Sequence, residues 1–312
     1  MPDYSVELIG SHREAPGLPA TVAYHLIKAL YQSAKGAVRL EVEGRSAARG
    51  TQPNWLGRVA DFSVDIADEF PGLRVRAPTL GDASPDRFGQ GVLFGESIGE
   101  MSALSFLFRG LTDALEGRTD SEAYDPSLLR MFGEFGYVLG SGVTAINIRN
   151  GREGGPVVRI DASGLNRAEN LQERTPAPKQ VRIAGTLDQI RYSNSAFTLL
   201  LHDEERTSIR GYLSESLQPD VLVPHWGKEV AMSAVVHFRP SGAPLRIEAQ
   251  HVRPASSSDL AVFSEVPQPI ESRLDLKSLT RPQGPSSGMN AIFGRWPGNE
   301  TAEEIIEALE KA

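Results

Sequence analysis

Residues 181–254 constrain the fold more than any other stretch, because apolar and polar residues alternate with a period of two through five successive runs. Val181, Ile183, Gly185 and Leu187 alternate with Arg182, Thr186 and Asp188; Phe197, Leu199 and Leu201 mark a second run, and Ile209, Gly211 and Leu213 a third. A longer fourth run carries Val230, Met232, Ala234, Val236 and Phe238. The chain then turns at Pro240-Ser241-Gly242, and Leu245, Ile247 and Ala249 form the fifth. Successive side chains of a strand point to opposite faces, so each run reads as a half-buried strand. The segment SESLQPDVLVPHW between the third and fourth has room for one helical turn. Three strands, a short helical link and two strands predict a five-stranded OB-like β-barrel, a module that binds rather than catalyses.

Residues 18–180 carry a different texture. After the start at 1–17, read as an N-terminal extension, Val22, Leu26, Ile27, Leu30 and Tyr31 recur at helical spacing, with Gly36 as the expected end. Alternation then predicts strands in AVRLEVEGR (Val38, Leu40, Val42), RVADFSVDI (Phe62, Val64, Ile66) and LRVRAP (Leu73, Val75). The strongest helix is expected in ESIGEMSALSFLFRGLTDALEGR, with Ile98, Met101, Leu104, Phe108, Leu111 and Leu115 inward and Gly117 at its end. Asp125-Pro126 is an N-cap followed by a first-turn proline, opening a third helix with Leu128, Leu129, Phe132 and Phe135 inward. Strands at Val143–Ile148 and Val157–Asp161 complete an α+β domain with helices on one face of a mainly antiparallel sheet. A polar connector with Pro176 and Pro178 leads to the barrel.

The 312-residue chain is 40% hydrophobic and 23% charged, ordinary globular material for two domains with accessory segments. With no cysteine, disulfides, thiolate zinc sites and cysteine nucleophiles are excluded. The opening MPDYSVELIG has neither a basic nor an apolar leader region, and no apolar run is long enough to cross a bilayer. A cytoplasmic protein with no membrane attachment is expected; homo-oligomerisation is compatible with the sequence.

Candidate chemistry is sparse. None of the six histidines has metal-ligand spacing, and His202-Asp203-Glu204-Glu205 reads first as a polar hairpin turn. His237 and His251 fall on barrel strands as surface or rim residues. The glycine-rich Gly89-Gln90-Gly91 precedes a helix, but no β-α-β context or following lysine makes it a phosphate loop. Asp61 and Asp65 lie on the polar face of an expected strand, where solvated carboxylates belong, near Asp68 and Glu69. No catalytic residue, metal site or cofactor is assigned, and a non-enzymatic protein is expected.

OB-like barrels often bind single-stranded nucleic acid through aromatic platforms in a basic groove. Arg191, Tyr192, Arg210 and Tyr212 form a candidate patch on the barrel's outer face. Against this, residues 181–254 hold seven Arg and one Lys against three Asp and five Glu, and the whole chain carries −8. The electrostatic footprint of a nucleic-acid protein is missing.

Residues 255–290, rich in Pro and Ser, read as a flexible linker. It leads to 291–312, AIFGRWPGNETAEEIIEALEKA, where Thr301 and Glu304 form a capping box and Ile305, Ile306 and Leu309 one apolar face. Ile292, Phe293 and Trp296 with the lone cation Arg295 complete a short motif of the kind that folds on a partner.

The string Phe293-Gly294-Arg295-Trp296-Pro297-Gly298-Asn299-Glu300-Thr301, followed by Ala302-Glu303-Glu304-Ile305, resembles the C-terminal tail of bacterial antitoxins that neutralise PIN-domain ribonucleases. Such tails typically read W-x-G-D-E-T before an acidic helix; Asn299 stands here where Asp is usual. The barrel strings Gly185–Ser193 and Phe238–Gly242 are similar to those of bacterial proteins of no established activity that carry the same tail. The resemblance implies that Trp296 and Phe293 fill a groove on a PIN-type nuclease while Arg295 enters its acidic, metal-binding pocket. The leading expectation is therefore an antitoxin-like protein, the alternative a nucleic-acid-binding regulator using the barrel. An enzyme housed in residues 18–162 ranks third.

Overall fold

In the computed structural model the described residues are 2–10, 18–48, 50, 52–67, 71–89, 97–151, 155–191, 196–203, 206–214, 217–269, 301 and 303. The first of them are not an extension. In Asp3–Gly10 (β1), Tyr4, Val6 and Leu8 are buried while Ser5 and Glu7 are less so, a period-two pattern that spans the short run before the first proline-rich stretch. β1 is the middle strand of the N-terminal sheet, paired antiparallel with both neighbours.

Helix α1, Ala20–Glu43, corrects two expectations at once. It runs straight through Gly36 and absorbs Val38, Leu40 and Val42, which are helical rather than strand residues. Ala34, Gly36, Ala37, Val38, Arg39, Leu40 and Val42 are all buried. A helix covered on nearly every side loses its 3.6-residue signature, so alternation there carries no strand information. Gly36 is needed for close packing, since a Cβ would lie 2.7 Å from the sulfur of Met131. The helix ends instead at Gly44, whose φ of 72° is left-handed and whose N–H bonds to the Leu40 carbonyl.

The expected strand over Arg58–Ile66 divides into helix α2, Asn54–Ala60, and edge strand β2, Ser63–Ile66. Strand β3, Gly72–Arg76, is as expected. Two single turns follow, α3 (Leu80–Ala83) and α4 (Pro85–Phe88). The long amphipathic helix is α5, Ala103–Glu116, opened by a Ser102–Ser105 capping box and closed by left-handed Gly117. Ile98 and Met101 fall before it, in and just after a 3-10 turn. Helices α6 (Pro126–Phe132) and α7 (Phe135–Leu139) bury Leu128, Leu129, Phe132 and Phe135. Strands β4 (Val143–Asn150) and β5 (Val157–Asp161) follow. The expected connector then contains a further helix, α8, Ala162–Arg174. Its buried residues are Gly164, Ala168 and Leu171, a narrow face of small and apolar residues on an otherwise polar helix.

The result is the α+β class expected, with an antiparallel sheet ordered β2-β3-β1-β4-β5. Tyr4, Val6, Val75 and Ile148 of the sheet meet Leu30 of α1 and Leu104, Leu107 and Leu111 of α5. The opposite face presents Ser5, Arg74, Arg76, Asn147 and Arg159, and Arg76 reaches the carboxylate of Asp65 across it.

The second core is the barrel: β6 (Lys179–Arg191), β7 (Ala196–Leu201), β8 (Ser208–Leu213), β9 (Glu229–Phe238) and β10 (Pro244–Pro254). It closes in the order β10-β8-β7-β6-β9, with β10 also pairing with β9. The β8–β10 pair is parallel, and the β8–β9 connection holds two single 3-10 turns where one helical turn was expected. Ile183, Leu187, Leu199, Val230, Met232, Val236 and Ile247 fill its interior. Gly211 is required there because a Cβ would lie 2.2 Å from the Phe197 ring.

Part of the expected linker is also folded. Helix α9, Ser257–Val262, starts in a Ser256–Asp259 capping box, and Asp259 takes two hydrogen bonds from Arg253 at 2.7 and 2.6 Å. The Phe263 carbonyl accepts from the Ala184 N–H on β6 at 2.7 Å, pinning α9 to the barrel. The described residues up to 269 form one compact unit. No helix among the described residues is long and apolar enough to cross a membrane.

The two cores of this unit are joined by the loop between α5 and α6. Arg239 donates to the Asp120 carbonyl at 2.9 Å and to Glu122 at 2.6 Å, while the Ser241 N–H reaches the Thr119 carbonyl. Beneath this loop Tyr124 is buried and donates its hydroxyl proton to the Arg118 carbonyl. Burial, with Asp113 and Asp120 nearby, pushes the Tyr124 phenol up to about 12. Because folding favours the neutral phenol, its contribution is intact below pH ~10 and is lost as pH rises from ~10 to about 12. Over that window wild-type unfolding free energy is expected to fall by about 2 kcal/mol more than that of Tyr124→Phe. Chemical denaturation at stepped alkaline pH measures it; parallel curves for the two proteins would contradict it.

Candidate functional site

Where the two cores meet, a cleft of about 800 Å³ opens between the C-terminal end of α1, the start of α6 and the outer wall of the barrel. Its N-terminal wall holds Arg39, Glu43 and Gly44 of α1 and its cap, then Arg45, Arg87 and Asp125. The barrel wall supplies Tyr212 at the end of β8, His237 on β9, and Arg246 and Glu248 on β10.

Asp125 organises the floor. Read from sequence as an N-cap, it does accept from the Leu128 N–H at 2.9 Å. It also accepts from the N–H of Ser46 at 3.0 Å and from the Ser46 hydroxyl. Its fourth partner is Nη2 of Arg246 at 3.3 Å, from the other core. One carboxylate thus ties together α6, the chain leaving α1, and strand β10. The Asp125 side chain is 4% exposed and that of Arg246 10%. Burial pushes the Arg246 guanidinium below its ordinary range, and Asp125 opposes that shift.

Further out, Arg39 donates from Nε to Glu43 at 2.7 Å within α1. Arg87 lies over the Trp55 ring, 4.6 Å from its centroid, a cation–π contact that fixes the guanidinium against α2. His237 faces Glu248 at 3.9 Å, and this contact, with Arg45 and Arg246 nearby, holds the Glu248 carboxyl below its usual range. Four guanidinium groups and three carboxylates line the cleft. Such an arrangement can hold a polar, charged small molecule by hydrogen bonding; the only local signal of it in the sequence is the Asp-Pro cap.

The residues singled out from sequence are placed differently. Tyr212 does point away from the barrel interior, but it is only 7% exposed because the end of α1 covers it. A Cβ on Gly44 would fall 2.0 Å from its ring. The ring is therefore not a stacking platform for a base, which corrects the patch expected from Arg191, Tyr192, Arg210 and Tyr212. Arg210 and Arg191 are exposed, while Tyr192 lies outside the described residues. His202 belongs to the β7–β8 hairpin as expected: it contacts Thr186 at 2.9 Å, and Asp203 accepts from the Thr207 N–H at 2.7 Å. Ile292, Phe293, Arg295, Trp296, Ile305, Ile306 and Leu309 all lie outside the described residues. No family model, curated protein or solved structure matches this chain.

Proposed function

We propose that the protein is antitoxin-like and non-enzymatic, binding and neutralising a PIN-type ribonuclease through residues 291–312. The observation that carries this reading is the string from Phe293 to Thr301, with two large aromatic anchors around a single arginine, followed by acidic Glu303 and Glu304. Trp and Arg are the residues most often found at the energetic centre of protein interfaces. An arginine brought among the carboxylates of a nuclease pocket makes charge-assisted bonds there and competes with the metal those carboxylates hold. The alternative, a nucleic-acid regulator working through the barrel, is weakened by the burial of Tyr212, one of its two aromatic platforms.

The test is a pull-down and RNA-cleavage assay against a PIN-type nuclease, taken from a gene adjacent to this protein's own where one is found. The full chain is expected to bind and inhibit it, and protein lacking residues 289–312 to do neither. Trp296→Ala is expected to weaken binding by about 100-fold, the size of a central aromatic anchor. Inhibition that survives the deletion sinks the proposal.

A further inference from the structure

We infer that the cleft between the two cores is a binding site for a small soluble ligand bearing a phosphate or carboxylate group. This assignment stands apart from the tail and holds whatever the tail binds.

The cleft's volume of about 800 Å³ is in the range of small-molecule sites, roughly 300–1,000 Å³. One of its buried cations is incompletely satisfied. Arg246 is 9% exposed, and among the described residues its Nη1 has no hydrogen-bond partner. A buried guanidinium nitrogen without an acceptor is costly, which is why such groups are rare in folded proteins. The carboxylate facing Arg246 does not make up the deficit. Asp125 already accepts from two backbone N–H groups and a hydroxyl, and its bond to Arg246 is the longest of the set at 3.3 Å.

Two further guanidinium groups point the same way, while the carboxylates Glu43 and Glu248 in the lining are set against Arg39 and His237. Arg39 spends Nε on Glu43, and its side chain is 8% exposed, so this cation too is held in the wall rather than in solvent. Arg87 is braced on Trp55 by its ring face, a contact that leaves the edge of the guanidinium as its hydrogen-bonding surface. Guanidinium forks match the oxygen spacing of phosphates and carboxylates, and bonds to them are among the stronger ones a protein makes. An oxyanion seated here would be reached from both cores, by Arg39 and Arg87 on one side and Arg246 on the other. Its binding would therefore stabilise their junction as well as the ligand.

The experiment uses the full chain, with inorganic phosphate, pyrophosphate and citrate as probes against sodium chloride at matched ionic strength. At least one oxyanion is expected to bind calorimetrically with a Kd of about 1 mM or tighter and to raise the thermal midpoint with concentration. Phosphate or pyrophosphate binding without citrate identifies a phosphorylated ligand, and the reverse a carboxylate. Gln218→Glu adds one negative charge at the exposed rim without disturbing the core and is expected to weaken binding by about tenfold. Arg246→Lys, which keeps the charge but loses the fork, is expected to weaken it as well. The inference is overturned if no probe exceeds the chloride control, or if Gln218→Glu binds every probe like wild type.

Discussion

Asp125→Ala is expected to lower the unfolding free energy of the folded body by about 3–5 kcal/mol, the largest loss expected from any single substitution at the junction. Two costs add. Loss of the α6 N-cap accounts for about 1 kcal/mol. The rest, and the greater part, comes from Arg246, which stays buried and charged once its carboxylate is gone. With the two side chains 4% and 10% exposed, solvent screens little of this. Asp125→Asn keeps one acceptor oxygen, for the Leu128 N–H and the Ser46 hydroxyl, but removes the charge and turns an amide NH2 toward the Ser46 N–H and Arg246, so it is expected to fall between wild type and Asp125→Ala. The double variant Asp125→Ala/Arg246→Met is expected to recover part of the loss, because an apolar side chain no longer needs a counter-charge. Urea denaturation of the four proteins at neutral pH provides the comparison. A loss of under ~1 kcal/mol for Asp125→Ala would rule out the ion pair as the junction's anchor. A double variant no better than the single would place the whole cost in the α6 cap and the two bonds from Ser46.

That junction is also where sequence reading reached its limit. The barrel was legible because each strand has one face on its own core, so alternation reports burial directly; Ile183, Leu199, Met232 and Ile247 all lie inside as the pattern requires. Asp125 was legible as a cap because capping is local, spanning three residues. Its bond to Arg246 joins positions 121 residues apart, and no local pattern encodes that. Arg246 has the phase of a solvent-facing strand residue, and it does face away from the barrel interior. What the phase cannot say is that a second core covers that outer wall. Tyr212 was misjudged for the same reason. The misreading of Val38, Leu40 and Val42 has the opposite cause: α1 is buried on both sides there, and period-two spacing inside a run of buried small and apolar residues is incidental. The proposed partner-binding motif at Phe293–Thr301 was read from the order of its residues, with Phe293 and Trp296 around Arg295 and a capping box opening at Thr301.

Gly44→Ala is expected to be the second most damaging change, at about 2–4 kcal/mol, although it adds a single methyl group. The residue sits at φ 72°, where an L side chain costs about 1–2 kcal/mol, and its N–H closes α1 on the Leu40 carbonyl. The new Cβ would also lie 2.0–2.4 Å from three atoms of the Tyr212 ring, which must move for the methyl to fit. That ring is 7% exposed and pressed against the end of α1, so the methyl must push it away from α1 or part the two cores. The two costs can be separated. In a Tyr212→Ala background the clash is gone and only the left-handed backbone penalty remains, so Gly44→Ala should then cost about 1 kcal/mol. The difference between backgrounds, read from urea midpoints, is the contact energy between α1's cap and the barrel. Equal costs in both backgrounds would mean that the ring yields freely and that the cap of α1 and strand β8 are not coupled. A large difference would show that the end of α1 and the barrel wall move as one piece, which a cleft built from both requires.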